Sequence, residues 1–182
     1  MAMTNILLIS ENTIKENSNL SDNIFGKNLL PAIREAQDIG LQSVIGQCLY
    51  EKLLDLVKTG DIKEEENIAY KDLLDQYVRD FLLYEVIANV ILNLNVKLAN
   101  IGTVITNDEH ITNLTQGETD LLEHNYANKA DFYKKRLQQF LLNNYTAYPE
   151  LEACMCNCCY AVKPNLKTTA DSTLWLGGAQ GK

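Results

Sequence analysis

Four of the five cysteines fall in one short run, Cys154-Met155-Cys156-Asn157-Cys158-Cys159; the fifth is Cys48. Cys156 and Cys159 make a C-x-x-C pair, which is half of a zinc site. The other half is missing. Four thiolates so close in sequence cannot readily surround one metal as a tetrahedron, and neither His110 nor His124 has a partner at ligand spacing. A redox C-x-x-C works from a strand-to-helix junction, which the neighbouring residues do not suggest. The cluster therefore reads as small buried or half-buried thiols that bind no metal and form no essential disulfide. An odd cysteine count without a secretion signal also favours reduced thiols, as in a cytoplasm.

The remaining reactive side chains are scattered. Asp108-Glu109-His110 could be drawn as an acid/base trio, but adjacent residues on a turn point apart. His124 falls on a helical stretch and reads as a surface or groove histidine. Gly177-Gly178-Ala179-Gln180-Gly181-Lys182 echoes a phosphate loop but has no helix after it. No G-x-S-x-G, no H-E-x-x-H and no paired catalytic carboxylates occur. A thiol enzyme built on Cys156 and His124 is the remotest reading. The chain is expected to be no enzyme and to hold no cofactor or metal.

The 182 residues suffice for one domain with a real core. Hydrophobic residues make up 46% and charged residues 22%, the balance of a globular protein. A net charge of −8 makes a poor general binder of nucleic acid, because affinity there comes from Lys and Arg on phosphates. The same charge suits a channel through which DNA slides without being gripped. No signal peptide is expected, since the run Ile6–Ile9 has no basic segment before it. No membrane span is expected either: Glu85, Asn89 and Asn93 interrupt the most apolar stretch.

That stretch, residues 72–96, is the strongest architectural signal. Leu73, Leu74, Tyr77, Phe81, Tyr84, Ile87, Ala88 and Ile91 form one stripe at helical spacing. Val78, Leu82, Leu83, Val86, Val90, Leu92 and Leu94 cover the other faces. A helix apolar all round must be surrounded, either at the centre of its own bundle or by another subunit.

Around it the periodicity predicts a mainly α fold, a bundle of four principal helices. Ser10 can cap a short lead-in helix over 11–17 with Ile14 inward. The first principal helix spans 22–45, with a kink or its true start at Pro31 and Gly46 as a C-cap. The second spans 47–58 and ends at Thr59-Gly60-Asp61. The third is the long one, 64–98, whose acidic start complements the helix dipole. The fourth spans 117–145, with Leu121, Leu122, Tyr126, Ala130, Tyr133, Leu137, Phe140 and Leu141 inward and Lys129, Lys134, Lys135 and Arg136 outward. Between the third and fourth helices, residues 99–116 are expected to insert a β-hairpin arm. Its strands would be 101–106, rich in β-branched residues, and 110–112. Residues 1–152 form the helical domain. Residues 153–182, with Pro164 and the glycine-rich ending, form an extended tail in which Leu174-Trp175-Leu176 is an apolar spot.

Several motifs fall in an order that resembles a family of tailed-phage proteins from Bacteroidetes viruses. They are Leu30-Pro31-x-Ile33-x-x-Ala36-Gln37-Asp38, Ile45-Gly46-x-x-Leu49-Tyr50-x-x-Leu53 and Tyr70-x-x-Leu73-Leu74-Asp75-x-Tyr77. Asn100-Ile101-Gly102-Thr103-Val104, Ala130-x-Phe132-Tyr133-x-x-Arg136-Leu137 and Tyr148-Pro149-Glu150-Leu151 continue the pattern. The resemblance covers residues 20–152 and its motifs are structural rather than catalytic. More distantly, the layout is similar to the helical head–tail connector (adaptor) proteins that form a ring beneath the portal, with crass-like phages as the setting. The resemblance implies a structural virion protein at the head–tail junction, assembled in the host cytoplasm. Its partners would be other copies of itself in a ring of about twelve, the portal protein, tail or other connector proteins, and DNA passing through the lumen without specific binding. It implies no membrane, no cofactor and no activity. The rival reading is a small helical protein-binding or regulatory module that forms no ring.

Interface candidates follow from the residues. Ile101, Gly102, Thr103, Val104, Ile105 and Ile111 would lie on the arm, whose strand edge invites pairing with another chain. Leu174, Trp175 and Leu176 would anchor the tail on a neighbour.

Overall fold

The computed structural model describes residues 6–18, 26–99, 102–105, 116–153 and 162–166. Over these residues the chain is mainly α-helical. Helix α1, Glu11–Glu16, is capped by Ser10, whose Oγ accepts the Thr13 N–H at 3.1 Å, and Ile14 is fully buried.

The first principal helix is one rod in three pieces. Helix α2 runs Gly26–Glu35, Ala36–Leu41 is wound as a π-helix, and α3 is Gln42–Ile45. Pro31 lies inside α2 and does not start it. The π-helical turn carries Gly40, where an added Cβ would lie 3.3 Å from Glu85 Oε1 and 3.6 Å from Phe81 Cζ. A bare backbone here gives room for the long helix to approach. Gly46, at φ +79°, ends α3 and starts α4, Gln47–Thr59. Gly60 closes α4 in the left-handed conformation, its N–H donating to Leu56 O at 3.1 Å.

The long third helix is interrupted as well. A 3-10 turn, Glu65–Asn67, leads into α5, Ile68–Leu73; Leu74–Val78 is π-helical; α6 then runs Arg79–Asn95. It stops short of the expected residue 98. Val96–Ala99 is strand β1 and pairs antiparallel with β2, Gly102–Ile105, in the register Val96↔Ile105 to Ala99↔Gly102. The expected arm over 99–116 is therefore not supported. Part of its first strand pairs backward with residues read as helix, and the return strand at 110–112 lies outside the described residues. Pairing with the nearest segment in sequence costs the least loop-closure entropy.

Helix α6 is the axis of the bundle. It packs on α2, on the Ala36–Leu41 turn and on α7, Gln116–Asn143. Phe81, Leu82, Val86 and Val90 are buried in one core cluster with Leu29 and Ile33 of α2 and Leu137 and Leu141 of α7, and Ile87, Ala88 and Ile91 are buried as well. Up to Ile91, much of its apolarity is thus explained inside one protomer. On α7, Ala130, Leu137 and Leu141 face inward as expected, but Leu121 is 72% exposed and Leu122 is exposed too. Leu121 lies about half a turn out of phase with Ala130, so both cannot face the core.

Helical structure continues past Asn143. A 3-10 turn, Tyr145–Ala147, precedes α8, Pro149–Ala153; Tyr148 between them and Leu151 of α8 are buried in the core. Residues 162–166, within the stretch read as an extended tail, are docked on the helices. Gln47 N–H donates to Val162 O at 2.8 Å and Asn165 N–H to Val44 O at 2.9 Å. The nearly buried Gln138 donates from Nε2 to Asn165 O at 2.6 Å. No helix among the described residues is long and apolar enough to cross a membrane.

Candidate interaction surface

Little of the expected site is described. Gly102, Thr103, Val104 and Ile105 form the backbone of β2. Ile101, Ile111, Leu174, Trp175, Leu176, His110 and the run Cys154–Cys159 lie outside the described residues. His124 is exposed on α7 beside Glu123, with Nδ1 at 3.7 Å from Oε2. No group of three or more His, Cys, Asp or Glu that could hold a metal occurs among the described residues. One expectation is corrected: Cys48, in the first turn of α4, is disulfide-bonded rather than a reduced thiol. A disulfide needs a second thiol brought within bonding distance by the tertiary fold, which spacing along the sequence does not reveal.

The most chemically distinctive feature is the seam between α6 and α7. Tyr77 and Tyr84 recur at a spacing of seven on one side, and Tyr126, Tyr133 and Phe140 do so on the other. A seven-residue spacing keeps side chains on one seam of two packed helices. Tyr77 stacks on Phe140 with centroids 4.0 Å apart, and Tyr84 on Tyr133 at 5.0 Å. Cations are threaded between the rings. Arg136 lies 5.0 Å from the Tyr77 centroid, and Lys129 lies 4.7 Å from that of Tyr126. Arg136 also bonds Asp80 at 3.3 Å across the seam. Burial raises the Asp80 carboxyl above its ordinary range, and Arg136 opposes that rise. Burial likewise raises Glu85, with Lys134 opposing and Glu35 adding to the shift.

Outside the seam, α7 shows solvent a face with three large apolar side chains. Leu121 is 72% exposed, Phe132 63% and Leu142 43%. Glu118, Leu121, Leu122 and Asn125 line a shallow depression of about 230 Å³ there. The stretch 129–136 holds Lys129, Lys134, Lys135 and Arg136 against the single acid Asp131.

A second exposed surface has the opposite sign. The 3-10 turns Asp61–Lys63 and Glu65–Asn67 present Asp61, Glu64, Glu65 and Glu66 to solvent, with Lys63 as the one base. Ile68, just beyond, is 59% exposed. None of these four carboxylates enters an ion pair among the described residues. Among the described residues, this arrangement offers surfaces for contact. Helical spacing places Lys129, Lys135 and Arg136 outward, as they stand, but it also sets Leu121 and Leu122 inward, where they are not. The exposed Phe132 could have been found from its phase against Ala130 and Leu137.

Residues 41–161 match the model of a protein family described as a family of unknown function, DUF6712. No curated protein and no solved structure matches the chain significantly.

Proposed function

We propose that this chain, which belongs to the DUF6712 family of unknown function, is a structural virion protein of a tailed phage. It is one protomer of a ring that joins the capsid portal to the tail and forms part of the DNA conduit. The single observation that carries this reading is the outer face of α7, where Leu121, Phe132 and Leu142 stand exposed on one helix. Large apolar side chains repeated along one outward face of a helix suit a contact with another protein. The ordered motifs between Leu30 and Leu151, which resemble a family of tailed-phage proteins, and a layout more distantly similar to head–tail connectors support the same assignment, as does a net charge of −8 for a conduit that must not hold DNA.

The inserted segment fits this role as a contact between subunits. Strands β1 and β2 make a two-stranded sheet with no third strand among the described residues. Such a sheet is marginal alone and leaves open edges for a neighbouring chain. Leu174-Trp175-Leu176 serves as an apolar anchor on the next protein. The ring acts at the head–tail junction, between portal and tail proteins, and does no chemistry.

Native mass measurement of the purified chain, with and without portal protein, tests the assignment. A closed ring of many copies is expected. A monomer or dimer under every condition overturns it in favour of a small protein-binding module.

A further inference from the structure

We infer that the basic, apolar face of α7 around Phe132 is the docking site for the acidic turn 61–66 and Ile68 of a second copy of this chain. The inference rests on the ring reading and names the contact that would build the ring. Three observations carry it.

The first is charge. Residues 61–66 expose four acids and one base, and around Phe132 the helix exposes Lys129, Lys135 and Arg136 with Asp131 as the one acid. Each patch is therefore the electrostatic complement of the other, in a chain that is acidic as a whole. Complementary patches steer encounter and set register between partners. The second is exposure. Each patch centres on or ends at a large apolar residue held out in water, Phe132 on one side and Ile68 on the other. A charged rim around an apolar centre is the anatomy of a protein interface. The third is availability. Lys135, three residues on from Phe132, is engaged only by Asp131 of its own helix at 2.6 Å, a surface pair weak enough for a partner's carboxylate to replace.

The two patches are different surfaces of one chain. Docking one onto the other is heterologous, and repeated head-to-tail contacts close into a ring when the rotation per step allows. An isologous contact through α7 alone would set like charges against each other. Both apolar centres are accessible side chains, so replacing them leaves the buried core of the fold untouched.

The test uses the full-length chain in two variants, Phe132→Asp, and Glu64→Lys with Glu65→Lys and Glu66→Lys together. Circular dichroism and thermal melts confirm that each folds like the wild type. Sedimentation velocity then follows self-association. The wild type is expected to assemble, more weakly as salt screens the patches. Each variant alone is expected to associate at least about tenfold more weakly. Mixed together, the variants keep one intact pair of faces and should form a heterodimer that grows no further. Variants that assemble like the wild type overturn the inference and leave the ring reading standing. Association that runs through both faces yet stops short of a ring keeps the contact and sinks the ring. A wild-type chain that stays monomeric at all concentrations overturns the inference as well.

Discussion

Pro164 sits directly on Gly46: a Cβ built at Gly46 would lie 2.8 Å from both Cδ and N of the proline. The glycine also stands at φ +79°, ψ 162°, a region that side-chain-bearing residues avoid. Two constraints therefore meet at one position. The helix rod must break between α3 and α4, and the break must leave room for the returning 162–166 segment.

Gly46→Ala is expected to cost more than Gly60→Ala. Both glycines have positive φ, but nothing lies within 4 Å of a Cβ at Gly60. Gly60→Ala should lose about 1–2 kcal/mol from backbone strain alone. Gly46→Ala adds the clash with Pro164 to a strain of about 1–3 kcal/mol. Urea denaturation of both variants checks the ranking, and hydrogen exchange at Asn165 should rise only in the Gly46 variant. Equal losses would show the proline contact to be incidental.

Gln37 is a buried clip for the N-terminal segment. It is 4% exposed, accepts the Leu8 N–H at 3.3 Å through Oε1, and donates from Nε2 to Ile6 O at 3.0 Å. Gln37→Leu removes both partners from backbone groups that have lost water. A loss of about 1–3 kcal/mol is expected. Proteolysis at low enzyme concentration should cut the variant first near residues 6–10. A variant as resistant as the wild type would mean that Leu8, Ile9 and Ile14 hold the segment by packing alone.

Phe81 is 1% exposed on the central helix and reaches toward Gly40. Phe81→Ala should cost about 3–5 kcal/mol, through lost burial and the cavity left behind. A drop below about 1 kcal/mol in chemical denaturation would remove α6 from the centre of the fold.

Glu85 sets a pH dependence. Burial raises its carboxyl above the ordinary 4.5, with Lys134 opposing and Glu35 reinforcing. Between the unfolded and folded values the native state holds more protons than the unfolded chain. The contribution of this group to stability is therefore best at low pH and falls as pH rises through that window. Glu85→Gln should remove the fall, so the variant gains on the wild type as pH is raised from about 4.5 toward neutral. Parallel stability profiles for the two proteins would assign the titration to other carboxylates.

Much of the local structure was written in the sequence. Ser10 and Thr13 form the α1 cap, the stripe Leu49-Tyr50-Leu53 lies within α4 as read, and Gly46 and Gly60 end helices where their backbone freedom is needed. These features depend on residues a turn apart, so periodicity and capping chemistry suffice to find them. Residues 72–96 announced a surrounded helix but left open whether its own chain or a neighbour did the surrounding. Only the packing of α2 and α7 on α6 decided for its own chain. The tertiary structure alone also set Leu121 outward, docked 162–166 on Gly46, linked Cys48 in a disulfide and paired Val96–Ala99 with Gly102–Ile105. Most of these outcomes rest on groups that are remote along the chain or that compete for one core face. Helical spacing carries no information about such contacts, and burial free energy summed over the whole bundle selects among them.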